Sequence, residues 1–302
     1  MSAAKSPPRR TVPRVAAIHD ISCFGKCSLT VALPILSAAG IECSVIPTAV
    51  LSTHTGGFTG YTYRDLTEDI MPIFEHWRGL GLTFDAGYSG FLGSRGQLEI
   101  VSEIFREMKK DGALIVVDPV MADDGRLYST FGADFPDGMR RLCAGADVIV
   151  PNITEAALMT GMEYRNGPYT KEYIEEMLSR LGEITPGLTV LTGVFFDEAR
   201  LGAACLDVKT GEIGCALAER VPGSYHGTGD VFASVLTAGL TLKMTPLAAM
   251  RAAAEFTSAA AKRTKDAGSD TRFGVNFEAG LALGVFGSAP GRLTPRLSRL
   301  TP

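Results

Sequence analysis

The sequence predicts an α/β protein: a mostly parallel central sheet with helices on both faces. Three observations carry this. Short runs rich in β-branched and apolar residues recur along the chain, each closed by Gly, Pro, Asp, Asn or Thr. Amphipathic helical stretches alternate with these runs, which is the pattern of successive strand–helix–strand units. The runs are apolar throughout rather than at every second position, as expected for strands covered on both faces.

Taken in order, strands are expected at Arg14–His19, Ser44–Val50, Leu82–Tyr88, Ala113–Asp118, Asp147–Pro151 and Leu188–Thr192. The first helix is expected over Cys27–Ala39, with Leu29, Leu33 and Leu36 at helical spacing; Pro34 inside it predicts a kink or a late start. Ser94–Lys110 sets Leu98, Val101, Ile104, Phe105 and Met108 on one side and charges on the other. Lys171–Gly182 is a shorter, more polar helix. Leu201–Asp207 and Ile213–Leu217 flank the turn signal Lys209-Thr210-Gly211-Glu212 and predict a hairpin. Helices over Thr228–Leu240 and Leu247–Lys265 follow, the second entered through Thr245-Pro246. Residues 1–13 and 288–302 read as disordered tails around one domain at 14–287.

Composition bounds the function. Of 302 residues, 46% are hydrophobic and 21% charged, as in a globular chain, and the formal net charge of −4 with no long basic block gives no footprint for nucleic acid. No apolar run reaches the length of a membrane span, and the N-terminus lacks the order of a secretion signal, so a cytoplasmic location is expected. The six cysteines form no C-x-x-C pair, which supports neither a zinc site nor a disulfide framework.

The segment richest in chemistry is His226-Gly227-Thr228-Gly229-Asp230, just before an apolar helix. Two glycines let the backbone turn tightly against a ligand, and a helix start supplies free N–H donors and positive dipole. That suits the charge on a moving phosphoryl group. Asp230, in the first helical turn, is placed to take a proton from an attacking hydroxyl. Alone, the run also reads as a plain turn followed by an N-capping residue. Its weight comes from what accompanies it.

Five further segments do so: Ile18-His19-Asp20 with Ser22-Cys23-Phe24-Gly25; Thr48–Gly56, containing His54-Thr55-Gly56; Gly87-Tyr88-Ser89-Gly90; Val117-Asp118-Pro119-Val120; and Pro151-Asn152-Ile153-Thr154-Glu155, with Thr192-Gly193 beyond. Together with Gly227–Asp230 they resemble, in order and over residues 14 to 280, the pyridoxal/pyridoxamine kinases among the ribokinase-like vitamin kinases. The resemblance implies a ribokinase-like three-layer sandwich and ATP-dependent phosphorylation of the 5′-hydroxymethyl of a B6 vitamer. It implies Asp230 as catalytic base, with Gly227, Thr228 and Gly229 as the anion hole. Asp20, Thr55 and Tyr88 would contact the vitamin. Asn152, Glu155, Thr192 and Thr228 would bind ATP, and Asp118 and Glu155 would serve Mg²⁺. A monovalent cation such as K⁺, a lid around Asp123–Thr130 that includes Tyr128 or at the hairpin-to-helix loop Pro222–Tyr225, and a homodimer are further expectations. Asp20 departs from the Ser that many pyridoxal kinases carry there. No phosphate-loop lysine motif is present. A hydroxymethylpyrimidine kinase and a non-catalytic pyridoxal phosphate binder are the alternatives.

Overall fold

The computed structural model of the protein describes residues 11–282 and 284–286. Except for residues 11–13, the two expected tails lie outside them.

The chain opens with β1 (Arg14–Phe24), α1 (Leu29–Ala38), β2 (Glu42–Thr53) and β3 (Tyr63–Asp65). It continues through α2 (Thr67–Gly79), β4 (Ala86–Ser89), α3 (Arg95–Lys110), β5 (Leu114–Val117), the short pair β6 (Ala122–Asp123) and β7 (Arg126–Leu127), and α4 (Phe135–Ala144). Next come β8 (Val148–Ile149), α5 (Ile153–Thr160), α6 (Lys171–Gly182), β9 (Leu188–Asp197), β10 (Arg200–Asp207) and β11 (Glu212–Glu219). α7 (Thr228–Thr241), α8 (Pro246–Asp266), a 3₁₀ turn at Thr271–Phe273 and α9 (Glu278–Ala282) complete it.

One nine-stranded sheet orders these strands β11-β10-β9-β8-β5-β4-β1-β2-β3. The six from β9 to β2 run parallel, and the outer pairings at both ends are antiparallel. The chain builds outward from β1 in both directions, so the topology switches between β1 and β4. In such sheets ligands bind beyond the carboxyl ends of the strands at that point.

Each face has its own core. One gathers Ile70, Leu98, Ile104, Met139, Ile153 and Leu178 of α2 to α6, and the other gathers side chains of α1, α7 and α8. α3 shows why the pattern was readable: Leu98, Val101, Ile104, Phe105 and Met108 are all buried, and Ser94 accepts the Gln97 N–H at its start. Each such side chain contributes about 1.5–3 kcal/mol by leaving water.

Several boundaries differ from expectation. β1 and β2 run on to Phe24 and Thr53, because the loop residues of the site stay paired to one another (Phe24 with Thr53) after a register shift between His19 and Ile21. α1 starts at Leu29, two residues late, and keeps Pro34 inside. Leu82–Asp85 is not strand; β4 is only Ala86–Ser89. α2 and α4 were not expected: α2 buries only Ile70 and Phe74 and contains Pro72, and α4 contains Gly138. Tertiary packing supplies what their local propensity lacks.

Candidate active site

The parallel strands deliver the expected residues to one sheet edge. Asp20 comes from β1, Thr55 from the turn after β2, Asp118 directly after β5, Asn152 after β8 and Thr192 from β9; α7 brings Asp230 in from the side.

The loop before α7 is built for close approach. Gly227 caps the helix at φ 77°, and a Cβ there would fall 2.0 Å from the Lys26 carbonyl oxygen, so only glycine fits. Around Gly229 there is open space. The first intrahelical bond, from the Val231 N–H to the Gly227 oxygen, leaves the preceding N–H groups without helical partners. The Thr228 hydroxyl donates to the Tyr225 carbonyl.

Asp230 has its carboxyl pushed up to about 7, first by withdrawal from water and then by the charge of Asp20, while the Ser28 N–H pulls the other way. Ser28 points that N–H from a strained backbone at φ 52°. Asp20 is buried, accepts from the Ser22 hydroxyl at 3.1 Å, and is itself raised by burial. Cys27 lies within reach of both charges and is held protonated by burial.

On the opposite side, Asn152 and Glu155 form a reciprocal cap on α5. Glu155 N–H donates to Asn152 Oδ1 and Asn152 N–H to Glu155 Oε2, each at 2.9 Å. The other Glu155 oxygen accepts from Met121 N–H at 3.1 Å, and Asn152 Nδ2 donates to the Ala122 carbonyl. Burial raises Glu155 to about 8 against these donors. Asp118, 7% exposed, carries no side-chain hydrogen bond among the described residues; burial and then the charges of Glu155 and Asp230 raise it well above the ordinary range. Thr192 bridges to Asn152 and directs its hydroxyl to the Pro151 carbonyl.

A hard cation suits this side. Asp118 offers an unpaired carboxylate and Glu155 spare lone pairs, all oxygen. Among the described residues no three His, Cys, Asp or Glu side chains form a metal cage of their own.

Two expected vitamin contacts need restating. Tyr88 is fully buried, edge-on to His19 with ring centroids 4.4 Å apart, and belongs to the core beneath α7. The alternation along β4 turns it into the sheet face, where the charges of Asp118 and Asp230 reach its hydroxyl. Thr55 is exposed in the turn after β2. β6 and β7 form a small hairpin that overlaps the span expected as a lid, anchored by the Gly125 N–H on the Thr154 hydroxyl at 3.0 Å.

Sequence reasoning gave no site role to Ser22, Cys27 and Ser28, which surround Asp20 and Asp230, and passed over the 3₁₀ turn at Thr271–Phe273. A weak local signal existed for the turn: the Asp270 carboxylate accepts the Arg272 N–H at 3.0 Å, the Asx-type pattern of a turn start.

No helix among the described residues is long and apolar enough to cross a membrane. A family profile described as phosphomethylpyrimidine kinase matches residues 38–274. The pyridoxine/pyridoxal/pyridoxamine kinase of Bordetella avium is 27% identical over 240 residues, 75% of this chain and 77% of that protein. A Bacteroides thetaiotaomicron protein assigned as a phosphomethylpyrimidine kinase, crystallised with pyridoxal, is 35% identical, with a TM-score of 0.85 over 90% of this chain and 95% of that one. Pyridoxal kinase from Lactobacillus plantarum is 32% identical, with a TM-score of 0.81 over 90% and 96%.

Proposed function

The chain belongs to the phosphomethylpyrimidine kinase family, and on that premise we propose that it transfers the γ-phosphoryl group of ATP to the 5′-hydroxymethyl of pyridoxal, pyridoxine or pyridoxamine. The observation that carries this reading is Asp230: a carboxylate raised to about 7, set in the first turn of a helix whose first intrahelical bond starts only at the Val231 N–H.

The vitamin lies in the cleft lined by Asp20 and Thr55, with its hydroxymethyl toward Asp230. The Asp230 carboxylate takes the hydroxyl proton as the oxygen forms its bond to the γ-phosphorus; the bond from that phosphorus to the β,γ-bridging oxygen breaks and ADP leaves. The proton on Asp230 then returns to water. A pKa near 7 lets the same group accept and release it at neutral pH. The N–H groups of Thr228 and Gly229 hold the equatorial oxygens of the moving phosphoryl group. Thr192 and Asn152 flank the ATP phosphates. Mg²⁺, held from Asp118 and Glu155, would neutralise phosphate charge, and K⁺ is a candidate second cation. The β6–β7 hairpin covers the cleft and keeps water from competing with the vitamin. The homodimer expected from the resemblance belongs to the same proposal and is read by light scattering.

The test is turnover of the three vitamers and of hydroxymethylpyrimidine with ATP and Mg²⁺. ADP release with formation of a vitamer 5′-phosphate is expected. Turnover of the pyrimidine alone would move the chain to the runner-up reading, and tight pyridoxal phosphate binding without turnover would make it a carrier.

A further inference from the structure

Three consecutive carbonyls of the 3₁₀ turn Thr271–Phe273 each accept from a different loop of the site. Thr271 O takes the His226 N–H at 3.4 Å, next to the anion hole. Arg272 O takes His54 Nε2 at 2.6 Å, from the turn that carries Thr55. Phe273 O takes the Lys26 N–H at 3.1 Å, from the loop between β1 and α1 that follows Asp20. The Asp270 carboxylate fixes the turn by accepting the Arg272 N–H and pairing with its guanidinium.

His54 is the one side chain in this trio, and its chemistry is determined by its partners. A carbonyl only accepts, so Nε2 carries the hydrogen. The Gly56 N–H only donates, so Nδ1 is bare and receives it at 3.1 Å. Both nitrogens are therefore engaged in a neutral ring that is 8% exposed. The loops press on it from every side. A Cβ at Gly25 would lie 2.3 Å from His54 Cδ2, the Phe58 ring sits 4.9 Å away and the His226 ring 5.1 Å away.

We infer that the Thr271–Phe273 turn is a keystone, and that His54 is the positioning residue that locks the vitamin side of the cleft to the anion hole through it. His54 touches neither substrate nor phosphate in this role. It sets the distance between the Thr55 turn and Gly227–Asp230, so that the hydroxymethyl oxygen and the phosphoryl-binding N–H groups meet in register.

The activity arm of the test rests on the proposed kinase reading; a second arm does not. His54→Phe keeps a ring of similar size and removes both hydrogen bonds. With pyridoxal and MgATP, kcat/KM for pyridoxal is expected to fall on the order of 100-fold, the scale of an ångström-level misplacement, while KM for ATP stays within about threefold. His54→Gln can still donate to the Arg272 carbonyl and is expected to recover about tenfold of that loss. Amide hydrogen exchange at Lys26 and His226 should speed up in His54→Phe and recover in His54→Gln. If His54→Phe does not fold, Asp270→Ala loosens the same turn from outside the cleft and should raise exchange at both amides and lower kcat/KM. Unchanged exchange and turnover in whichever variant folds would overturn the inference. So would equal damage from His54→Phe and His54→Gln with ATP binding lost in both. A wild-type protein inactive on every vitamer defeats the kinase reading, and the exchange arm still decides the keystone.

Discussion

Asp20 and Asp230 sense one another across the cleft: the charge of Asp20 adds to burial in lifting the Asp230 carboxyl to about 7. The first residue stands where the resemblance to the pyridoxal kinases led to the expectation of a serine, and the second is the proposed base.

The sign of the pH dependence follows. Asp230 acts when deprotonated, so kcat should rise with pH through about 7. Asp20→Ser removes a neighbouring negative charge, lowers the Asp230 pKa and moves that rise to lower pH. The pH–rate profiles of the two proteins check it; superimposable profiles would show that Asp20 does not act on Asp230.

Asp230→Ala should lower kcat by about three orders of magnitude or more, since a proton acceptor in the transition state is worth roughly 10²–10⁴-fold. ATP affinity, measured by calorimetry, should change little. A variant retaining near wild-type turnover would remove Asp230 from the mechanism.

Asp20 should also weigh the vitamers. A second carboxylate in the pocket favours a substrate that carries positive charge, so pyridoxamine is expected to gain on pyridoxal. Asp20→Ser should narrow that ratio of kcat/KM values by about tenfold, the worth of one modest charge interaction. A ratio that does not move would place the vitamin's amine away from Asp20.

Stability of the ligand-free protein should fall as pH rises. Asp230 and Glu155, at about 7 and about 8, bind protons more tightly folded than unfolded. Asp118 and Asp20 shift in the same direction. Their stabilising contribution is complete below the unfolded carboxylate range near 4 and is lost as pH climbs through the folded values. Tm by scanning calorimetry should therefore drop between pH 5 and about 8. Added Mg²⁺ should raise Tm more at the upper end, where the carboxylates are ionised. Asp118→Asn should stabilise the ligand-free protein at high pH, by on the order of 1 kcal/mol, and abolish most of the Mg²⁺ effect.

Tyr88 separates a core role from a ligand-stacking one. Tyr88→Phe should leave KM for the vitamer nearly unchanged, whereas Tyr88→Ala should cost about 3–5 kcal/mol of stability, as large-to-small core changes do. A large KM effect in Tyr88→Phe would return Tyr88 to the pocket wall.

Much of the fold was legible because its signals are local. The apolar stripe of α3, the hairpin at Lys209–Glu212 and the Gly227–Asp230 run before α7 each declare themselves within a dozen residues. α2 and α4 did not, because with Pro72 and Gly138 inside them their stability comes from burying residues such as Phe74 and Met139 against the sheet. The same divide runs through the site. The sequence by itself determined which residue types are present, that Asp20, Asp118 and Asn152 stand at expected strand ends, and that Asp230 stands in the first turn of a helix. Only the tertiary structure decided which of them share a cleft, that Tyr88 is fully buried, and that residues 271–273 hold three loops together. Those outcomes depend on contacts between segments up to 252 positions apart, such as Lys26 with Glu278, and no local pattern encodes them.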